Sequence, residues 1–547
     1  MYTATGGDAL VDALCANGID TLFALPGGQL DHLFDAAFRQ GDRIRLIHSR
    51  HEQGVAYMAY GYARSTGRVG AYAVVPGPGL LNSSAALCTA WANYTSVLAL
   101  SGQIPMAAID RGYGELQEIP DQLGMIAHIT KWAHRITHPA LTSDAVNSAF
   151  TAMKTGAPRP VELEMPMDVM GMPAAIEHCV PAAESTPLPV DAALIEQACE
   201  LLVSAKKPLI YVGSGAIDAA PAIRELAENL QAPVVSFRSG KGILSAEHYL
   251  EANFPMGHRL WGDADLVLAI GTRLHWPLTM WGKDKDLKLI RIDVDPEQVA
   301  LICDPDIALV GNSTAVVPHL VTAVAATGHS AVSREDELLT LKAEVNAEIR
   351  TKVAPQMAYL DVIRDELPRD GFFVDEVTQV GFVSWYGFPV YAPRHFISAG
   401  YQGTLGYGFA TALGVVAGNP GKRVIQVSGD GGFMFNVQEL STAVQYQLPL
   451  VTVIFNDSRF TNVQRQQVEW FDGRVTCSDL HNPDFVALAE SFGAVGLRAD
   501  SPESVRSCIR QAFEESGPVI IEVKVDEFFP APWPFLMMPQ NRDAVCR

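Results

Sequence analysis

The strongest constraint on the fold of this chain is a stretch in which a glycine-rich turn and a helical pattern separate two buried strands. The first strand is the β-forming run VIQV at 424–427, and it stops at Ser-Gly-Asp-Gly-Gly, residues 428–432. Apolar residues at helical spacing follow over 437–446, and after a proline a second apolar strand covers 450–455. This order predicts a βαβ unit, in which the two strands lie parallel and side by side.

Polar side chains stand at the ends of both predicted strands. Asp430 follows the first strand and Asn456 follows the second. Because parallel strands bring their carboxyl ends to one edge of a sheet, we expect these two side chains to converge. Hard oxygen ligands beside glycines at the start of a helix suit a divalent metal ion that holds a phosphate group. Gly-Asp-Gly alone can merely turn the chain, but Asn456 favours a site for a metal-bound diphosphate.

A Gly-Asp-Gly sequence followed by Asn after one βαβ unit resembles the signature of thiamine diphosphate-dependent enzymes. In that family the corresponding Asp and Asn side chains and a nearby backbone carbonyl bind Mg²⁺. The resemblance therefore implies that Asp430, Asn456 and the carbonyl of Ser458 hold Mg²⁺ in this chain. It also implies that thiamine diphosphate is the cofactor.

Length, charge and cysteine content exclude several classes of protein. A chain of 547 residues has room for three or four domains. Its net charge of −21 disfavours nucleic acid and anionic membrane surfaces as partners. We find no apolar run of about 18 residues and no basic segment followed by an apolar core, so we expect a cytoplasmic protein without a membrane span. The 8 cysteines lack paired spacing, which predicts free thiols.

The first part of the chain alternates predicted helices and strands, which indicates an α/β domain. Strand 45–48 leads directly into Arg-His-Glu-Gln at 50–53, and a helix of small residues follows. Glu52 therefore lies near a helix N-terminus, where an acidic side chain often does no more than complement the helix dipole. Two Pro-Gly turns, 26–28 and 76–79, end strands on either side of Glu52 in the sequence.

These two turns, together with the Arg-His-Glu-Gln sequence, resemble the pyrimidine-binding domain of acetohydroxyacid (acetolactate) synthase large subunits and pyruvate oxidases. The resemblance implies that Glu52 hydrogen-bonds the cofactor's aminopyrimidine and so promotes removal of the thiazolium C2 proton. A carboxyl group suits this role when an apolar setting raises its pKa toward neutral pH. Gln117 and Lys131 lie in segments that resemble substrate-lining segments of the synthases, so they are the other candidate catalytic residues. Either could instead be a surface residue.

A glycine-rich segment, 398–408, precedes a predicted helix and resembles the family segment that comes before Gly-Asp-Gly. Leu405 stands where the family has a bulky apolar residue that wedges between the two cofactor rings and forces a bent conformation. A leucine at a helix entry can also simply pack in the core. The complete set of cofactor-binding residues that the resemblance implies is Pro26, Gly27, Glu52, Gly77, Asn82, Gln379, Gly403, Leu405, Gly429, Asp430, Gly431, Gly432, Asn456 and Phe460.

The resemblance spans nearly the whole chain and predicts an α/β fold of three doubly wound parallel-sheet domains. These are a thiamine pyrimidine-binding domain over 1–171, a central Rossmann-like domain over 190–328, and a diphosphate- and Mg²⁺-binding domain over 355–547. Residues 172–189 contain several prolines and predict a linker, and the charged stretch 333–353 predicts a linker helix. Because relatives hold the cofactor between two subunits, the resemblance also implies a homodimer or homotetramer.

The central domain has the pattern of a dinucleotide-binding sheet, with strands predicted over 208–212, 233–237, 266–270 and 289–292. Its glycine pattern is incomplete, because Asp218 stands where the third glycine of a dinucleotide-binding turn would be, so we do not expect NAD. Some relatives bind FAD in this domain. The acidic residues that follow Arg273 in synthases are replaced here by Leu-His-Trp, so FAD is not expected either.

The resemblance implies an acetolactate synthase-like carboligase or lyase that decarboxylates a 2-keto acid and joins the fragment to an acceptor. Two alternatives remain, a simple 2-keto acid decarboxylase and a noncatalytic cofactor-binding paralogue. The chain has no adjacent His-His pair, which many decarboxylases use to deliver a proton, and this favours carboligation. Retention of Glu52, Asp430 and Asn456 argues against a noncatalytic protein. Gln466 aligns with a tryptophan that helps synthases choose the acceptor, so the identity of the acceptor stays open.

Overall fold

The structure is a computed structural model that describes residues 1–183, 189–525, 529–532, 535 and 542. Within these residues the chain forms three sheets of six strands each, and every strand pair inside these sheets is parallel. Helices connect the strands, as parallel pairing requires. The predicted fold class, three parallel-sheet α/β units, is confirmed.

The first sheet comes from the N-terminal part of the chain. Its inner strands are wholly buried because helices cover both faces of the sheet. From edge to edge its strands are Arg45–His48, Thr21–Ala24, Gly70–Val74, Val97–Gln103, Val161–Pro166 and Ala133–Arg135. The accompanying α-helices are Gly6–Ala16, Asp31–Arg39, Glu52–Thr66, Pro78–Ala92, Gln122–Ala127, Thr142–Lys154 and Met167–Gly171.

The second sheet occupies the middle of the chain, and its two outermost short strands were not predicted from the sequence. In spatial order its strands are Glu251–Ala252, Val234–Ser236, Pro208–Val212, Leu266–Ile270, Lys288–Asp293 and Ile307–Val310. The helices around it are Ala192–Ser204, Ala220–Leu230, Phe254–Asp263 and Ser313–Ala326, with a π-helical turn at Pro277–Trp281. The predicted charged helix follows as Glu335–Lys352.

The third sheet contains the βαβ unit that the sequence predicted. Strands Val424–Gly429 and Leu450–Asn456 lie side by side and parallel, and Gly429 is opposite Phe455. In spatial order the strands of this sheet are Phe396–Ile397, Phe372–Val374, Val424–Gly429, Leu450–Asn456, Val519–Lys524 and Val495–Ala499. Its helices are Ala354–Glu366, Gln379–Gly387, Gly408–Gly418, Asp430–Phe433, Leu440–Gln445, Thr461–Trp470, Phe485–Phe492 and Pro502–Ala512.

One local prediction was wrong. The segment 172–189 was predicted to be a linker, but Pro173–Ile176 forms an antiparallel pair with Tyr2–Thr5. Proline is tolerated there because it is the first residue of a strand at a sheet edge, and residues 184–188 lie outside the described part. The helical segment predicted over 437–446 is confirmed, as the 3₁₀ helix Val437–Glu439 followed by the α-helix Leu440–Gln445.

No helix in the described ranges is both long and apolar enough to cross a membrane. The seven cysteines among the described residues are all free thiols, as the sequence predicted.

Helices Glu52–Thr66 and Gly408–Gly418 join the first sheet to the third by a close contact. Gly61 on the first helix and Gly414 on the second each lie so near a main-chain carbonyl of the other helix that a Cβ would clash with it. The apolar cluster around them draws its residues from both sheets. Glycine is required at both positions because only a bare backbone permits this approach.

The Gly414→Ala variant is expected to lower the free energy of unfolding by about 1–3 kcal/mol, because the added methyl group would overpack the contact between the two helices. Urea unfolding measures the change. Gly517→Ala is the matched control, since nothing lies within 4 Å of a Cβ at that position. Equal stability of the two variants would show that the helix contact tolerates a side chain.

Candidate active site

Asp430 and Asn456 converge, as the sequence predicted, at the carboxyl edge of the third sheet. The side-chain nitrogen of Asn482 donates to Asp430 Oδ2 at 2.6 Å and to Asn456 Oδ1 at 2.9 Å. Both oxygens therefore lie within hydrogen-bonding reach of a single atom. Two oxygens this close, one of them anionic, are able to bind the same divalent cation.

Hydrogen bonds fix the orientation of the Asn456 side chain. Its amide nitrogen donates to Glu522 at 2.7 Å, and its oxygen accepts from the same Asn482 nitrogen that donates to Asp430. Burial, reinforced by the neighbouring carboxylate of Asp457, raises the pKa of Asp430 to about 6. A nearby cation would favour the ionised form of this acid, because it would offset both effects.

Ser458 has a positive φ of 56°, which places its peptide on the tight bend after the strand that ends at Asn456. Its carbonyl oxygen accepts the N–H of Leu480 at 2.8 Å. A carbonyl has two lone pairs, so one acceptor position remains for a metal ion. The role of this carbonyl as a ligand stays a prediction.

A cavity of about 250 Å³ opens beside the predicted metal ligands. All of its lining residues lie between 377 and 529, so they belong to the third sheet and its loops. The lining includes Gln379, Leu405, Gly429, Asp430, Gly431, Gly432 and Phe460, all of which were predicted to bind the cofactor.

Glycine is favoured at two positions, one in the lining of this cavity and one in the loop that carries Leu405. A Cβ at Gly431 would clash with the ring of Phe460, so the turn after the strand packs directly on that ring. Gly403 has a positive φ of 54° and open space where a Cβ would lie. Its conformation favours glycine, and the space in front of it can receive a ligand.

Glu52 lies in a second cluster, on the first sheet. It begins the helix Glu52–Thr66, and its Oε2 accepts a hydrogen bond from Asn82 at 3.0 Å. Gly77, at a positive φ of 57°, precedes the helix that carries Asn82. The structure thus brings together three of the residues predicted to bind the pyrimidine side of the cofactor.

Pro26 and Gly27 follow the neighbouring strand Thr21–Ala24, which pairs with Gly70–Val74. A Cβ at Gly27 would clash with Val75, so the two Pro-Gly turns predicted from the sequence lie next to each other.

Gln117 and Lys131 have different surroundings. The main-chain oxygen of Gln117 lies so close to Gly77 that a Cβ there would clash, and Gln117 Oε1 is buried with no partner among the described residues. Gln117 therefore belongs to the Glu52 cluster. The ammonium of Lys131 instead donates to the carbonyls of Thr155 and Ala157, so it braces a loop of the same domain. Its catalytic role stays a prediction.

Sequence reasoning missed two side chains that organise these clusters. Asn482 bridges the two predicted metal ligands, and only an Asn-Pro-Asp turn marks it in the sequence. Gln122 accepts the N–H of Gly77 at 2.7 Å and donates to the buried Glu164 at 2.9 Å. Both side chains bond to residues that are distant in sequence, so no local sequence pattern predicts these contacts.

Two further cavities, each about 200 Å³, adjoin the second sheet. Leu274, His275 and Trp276 line one of them, and among the described residues no carboxylate does. This is the place where the sequence lacks the acidic residues of the synthases. The expectation that the chain works without FAD stays a prediction.

Three parallel-sheet units, with polar side chains gathered at the strand ends of the first and third, are the architecture of α/β cofactor-binding proteins. The sequence matches three family domains described as Thiamine pyrophosphate enzyme: the N-terminal TPP binding domain over 4–125, the central domain over 195–320, and the C-terminal TPP binding domain over 376–523. The chain belongs to the thiamine pyrophosphate enzyme family and is a thiamine diphosphate-dependent enzyme.

Curated relatives match along nearly the whole chain. A probable 2-ketoarginine decarboxylase of Pseudomonas aeruginosa is 31% identical, over 95% of this chain and 94% of its own length. A probable acetolactate synthase large subunit of Methanococcus aeolicus is 30% identical, over 95% and 92%. The acetolactate synthase isozyme 3 large subunit of Escherichia coli is 30% identical, over 96% of both chains. The relatives thus include both a decarboxylase and synthases.

The residues present fit thiamine diphosphate and a divalent metal ion. Gln379 lines the cavity, and its Oε1 is buried with no partner among the described residues, as expected of a group that bonds to a ligand. Asp430 and Asn456 supply one anionic and one neutral oxygen. Asp430, Asn456 and Ser458 would hold Mg²⁺, while Gly431 and Gly432 at the start of a short helix would offer N–H groups to the diphosphate.

The Asp430→Ala variant is expected to lose Mg²⁺-dependent retention of thiamine diphosphate, because it removes the anionic ligand from a set of otherwise neutral oxygens. The measurement is bound cofactor per chain after gel filtration in Mg²⁺, and EDTA should have the same effect on the wild type. Asp293→Ala is a matched control, because Asp293 is a buried acid at the end of a strand in the second sheet. Stoichiometric cofactor on Asp430→Ala would exclude Asp430 as the ligand.

Proposed function

We propose that the chain is a Mg²⁺- and thiamine diphosphate-dependent carboligase or lyase of the acetolactate synthase type. It decarboxylates a 2-keto acid and joins the remaining fragment to an acceptor. The observation that carries the proposal is the pair of oxygens from Asp430 and Asn456 at one edge of the cavity that Leu405 lines. The family membership and the synthase relatives support it.

Different residues of the chain would have different roles in the reaction. When bound, thiamine diphosphate would supply a nucleophilic carbon for the keto carbonyl and a ring that takes up the electron pair left by carbon dioxide. Glu52 would hold the proton at the aminopyrimidine nitrogen, and Asn82 holds the Glu52 carboxylate in place at 3.0 Å. Leu405 would keep the two cofactor rings in a bent arrangement. Gln117 would accept a hydrogen bond from the substrate or the pyrimidine through its side-chain oxygen, which has no partner among the described residues.

The complete site would form between two copies of the chain. Residues of the third sheet line the cavity beside Asp430, and within the described part of the chain neither Glu52 nor any other residue before 377 contributes to it. Large apolar side chains next to each half are exposed, Leu116 at 73% on one side and Phe435 at 51% on the other. An interface between two copies would cover them, since surfaces this apolar favour association. We therefore propose a homodimer or a larger homo-oligomer.

A simple decarboxylase is the second candidate, and the 2-ketoarginine decarboxylase relative favours it. The two functions differ in the step after the loss of carbon dioxide, because a decarboxylase delivers a proton where a carboligase admits an acceptor carbonyl. A panel of 2-keto acids, with pyruvate, 2-ketobutyrate and 2-ketoarginine among them, distinguishes the two when carbon dioxide release and product chirality are both measured. A chiral condensation product supports carboligation. Aldehyde as the sole product supports the decarboxylase, and no carbon dioxide from any substrate supports a noncatalytic protein.

The Glu52→Gln variant is expected to bind Mg²⁺ and cofactor but to lose most turnover, because an amide cannot hold the proton that the aminopyrimidine requires. Exchange of the cofactor's C2 proton for deuterium should slow by about 100-fold or more. Glu335→Gln is the control, since Glu335 also begins a helix and can act only on the helix dipole. Wild-type exchange in Glu52→Gln would reject the assignment.

The Gln466→Trp variant tests acceptor choice. Gln466 lies on the helix Thr461–Trp470, one turn beyond the residues that line the cavity, and it is half-buried. A polar side chain there makes no hydrophobic contact with the alkyl chain of an acceptor, and such contact contributes about 0.8 kcal/mol per buried methylene. Gln466→Trp should therefore raise the preference for 2-ketobutyrate over pyruvate as acceptor, measured in competition. An unchanged preference would place Gln466 outside the acceptor pocket.

A further inference from the structure

Buried side chains hold both main-chain polar groups of Gly406, the residue that follows Leu405. The N–H of Gly406 donates to Glu376 Oε1 at 3.1 Å, and the carbonyl of Gly406 accepts from Asn436 Nδ2 at 2.6 Å. Glu376 and Asn436 are 2% and 0% exposed. Among the described residues no other side chain bonds to these two atoms, so this pair alone fixes the main chain at Gly406.

Glu376 reaches the loop from the strand on one side. It follows the strand Phe372–Val374, and its second oxygen accepts the N–H of Gly408 at 2.7 Å. Its carboxyl carbon lies 3.4 Å from where a Cβ of Gly432 would stand, as does a methyl carbon of Leu405. Glu376 therefore touches both the loop that carries Leu405 and the turn that carries the metal ligand Asp430.

Asn436 reaches the loop from the other side. It lies shortly after the short helix Asp430–Phe433, so it belongs to the same turn as the metal ligand. Gly406 has a positive φ of 83°, and a Cβ there would clash with Phe435. Glycine is thus required at 406, and without a side chain of its own the residue depends on hydrogen bonds to keep its position.

These contacts couple the placement of Leu405 to the metal-binding turn. A shift of Gly406 would leave its N–H and the side-chain amide of Asn436 without the partners they have here, and unpaired polar groups are unfavourable in a buried setting. The loop therefore has one favoured position relative to Asp430. That position decides how far Leu405 projects into the cavity that both residues line.

We propose that Glu376 and Asn436 are positioning residues that clamp the main chain at Gly406 and thereby set Leu405 at the distance from the metal site that the bent cofactor requires. The proposal rests on the proposed function, since it gives Leu405 its role. Neither residue lines the cavity, so both act through the loop. Substitution of a residue that only stabilises the fold would lower both the free energy of unfolding and the affinity for cofactor. Substitution of a residue that positions Leu405 would instead slow exchange of the C2 proton in bound cofactor.

The test compares Glu376→Gln, Asn436→Leu and their double variant with Leu405→Ala. Glutamine keeps one acceptor oxygen and the shape of the side chain, and leucine keeps the volume of asparagine without its donor. Each full-length variant is titrated with thiamine diphosphate and Mg²⁺, and the exchange rate of the C2 proton is then measured by NMR at saturating cofactor. Glu251→Gln and Asn253→Ala are the controls, because they are a buried acid and an asparagine that bond to the helix Glu335–Lys352, away from the Leu405 loop.

We expect both single variants and Leu405→Ala to bind cofactor within about threefold of the wild type and to slow exchange about 10- to 100-fold, since small misplacements of reacting groups cost this much. The double variant should be no slower than the slower single one, because both changes release the main chain at the same residue. The controls should exchange at the wild-type rate. Exchange at the wild-type rate in the cofactor-bound variants, or multiplied losses in the double variant, would overturn the proposal.

If Asn436→Leu folds poorly, Asn436→Ser takes its place in the test. Serine is smaller than asparagine, and its short side chain cannot reach the Gly406 carbonyl, to which Asn436 donates at 2.6 Å. It should show the same slow exchange, and a wild-type rate in it would count against the clamp. Failure of the proposed function has a different signature. In that case the wild type would exchange the C2 proton of its cofactor but form no condensation product from any 2-keto acid, while the clamp variants would still exchange slowly.

Discussion

The close approach of helices Glu52–Thr66 and Gly408–Gly418 is the contact on which the relative position of the two half-sites of one chain depends. Each helix begins where a functional segment ends, since Glu52 opens the first and the loop with Leu405 leads into the second. Bare glycines at the crossing leave no side chain that could rearrange. The Glu52 half and the Leu405 half, which would serve different sites in the proposed oligomer, are therefore held by packed backbone rather than by flexible side chains, as sites of defined geometry require.

Hydrogen bonds from the first sheet extend this constraint to the glycine-rich loop. The hydroxyl of Tyr60 donates to the carbonyl of Ser398 at 2.7 Å, and Asn93 donates to the carbonyl of Ala399 at 2.8 Å. Both donors are buried, so loss of either bond would leave a polar group without water. The start of the loop is thus anchored to one sheet and its end, through Gly406, to the turn of another.

The sequence predicted those parts of the fold and site that rest on local patterns. Strand-end positions such as Asp430 and Asn456 could be placed because a buried run followed by a glycine turn marks the end of a strand, and parallel topology brings such ends together. The contacts of Asn482, Glu376 and Asn436 could not be predicted, since each bonds to a partner more than twenty positions away. The edge strand at Pro173–Ile176 was missed for the same reason, because its partner is the N-terminal strand.

The cofactor site alone does not decide between the two candidate reactions. Glu52, Asp430 and Asn456 would serve a decarboxylase and a carboligase equally, because both reactions begin with the same proton removal and the same loss of carbon dioxide. The outcome depends on whether a proton or an acceptor carbonyl arrives next, and therefore on the side chains at the rim of the cavity. Here the rim includes the start of the helix Thr461–Trp470, where this chain departs from the synthases. Polar groups enclosed there need partners, so an acceptor with oxygens of its own would fit this rim better than a hydrocarbon chain.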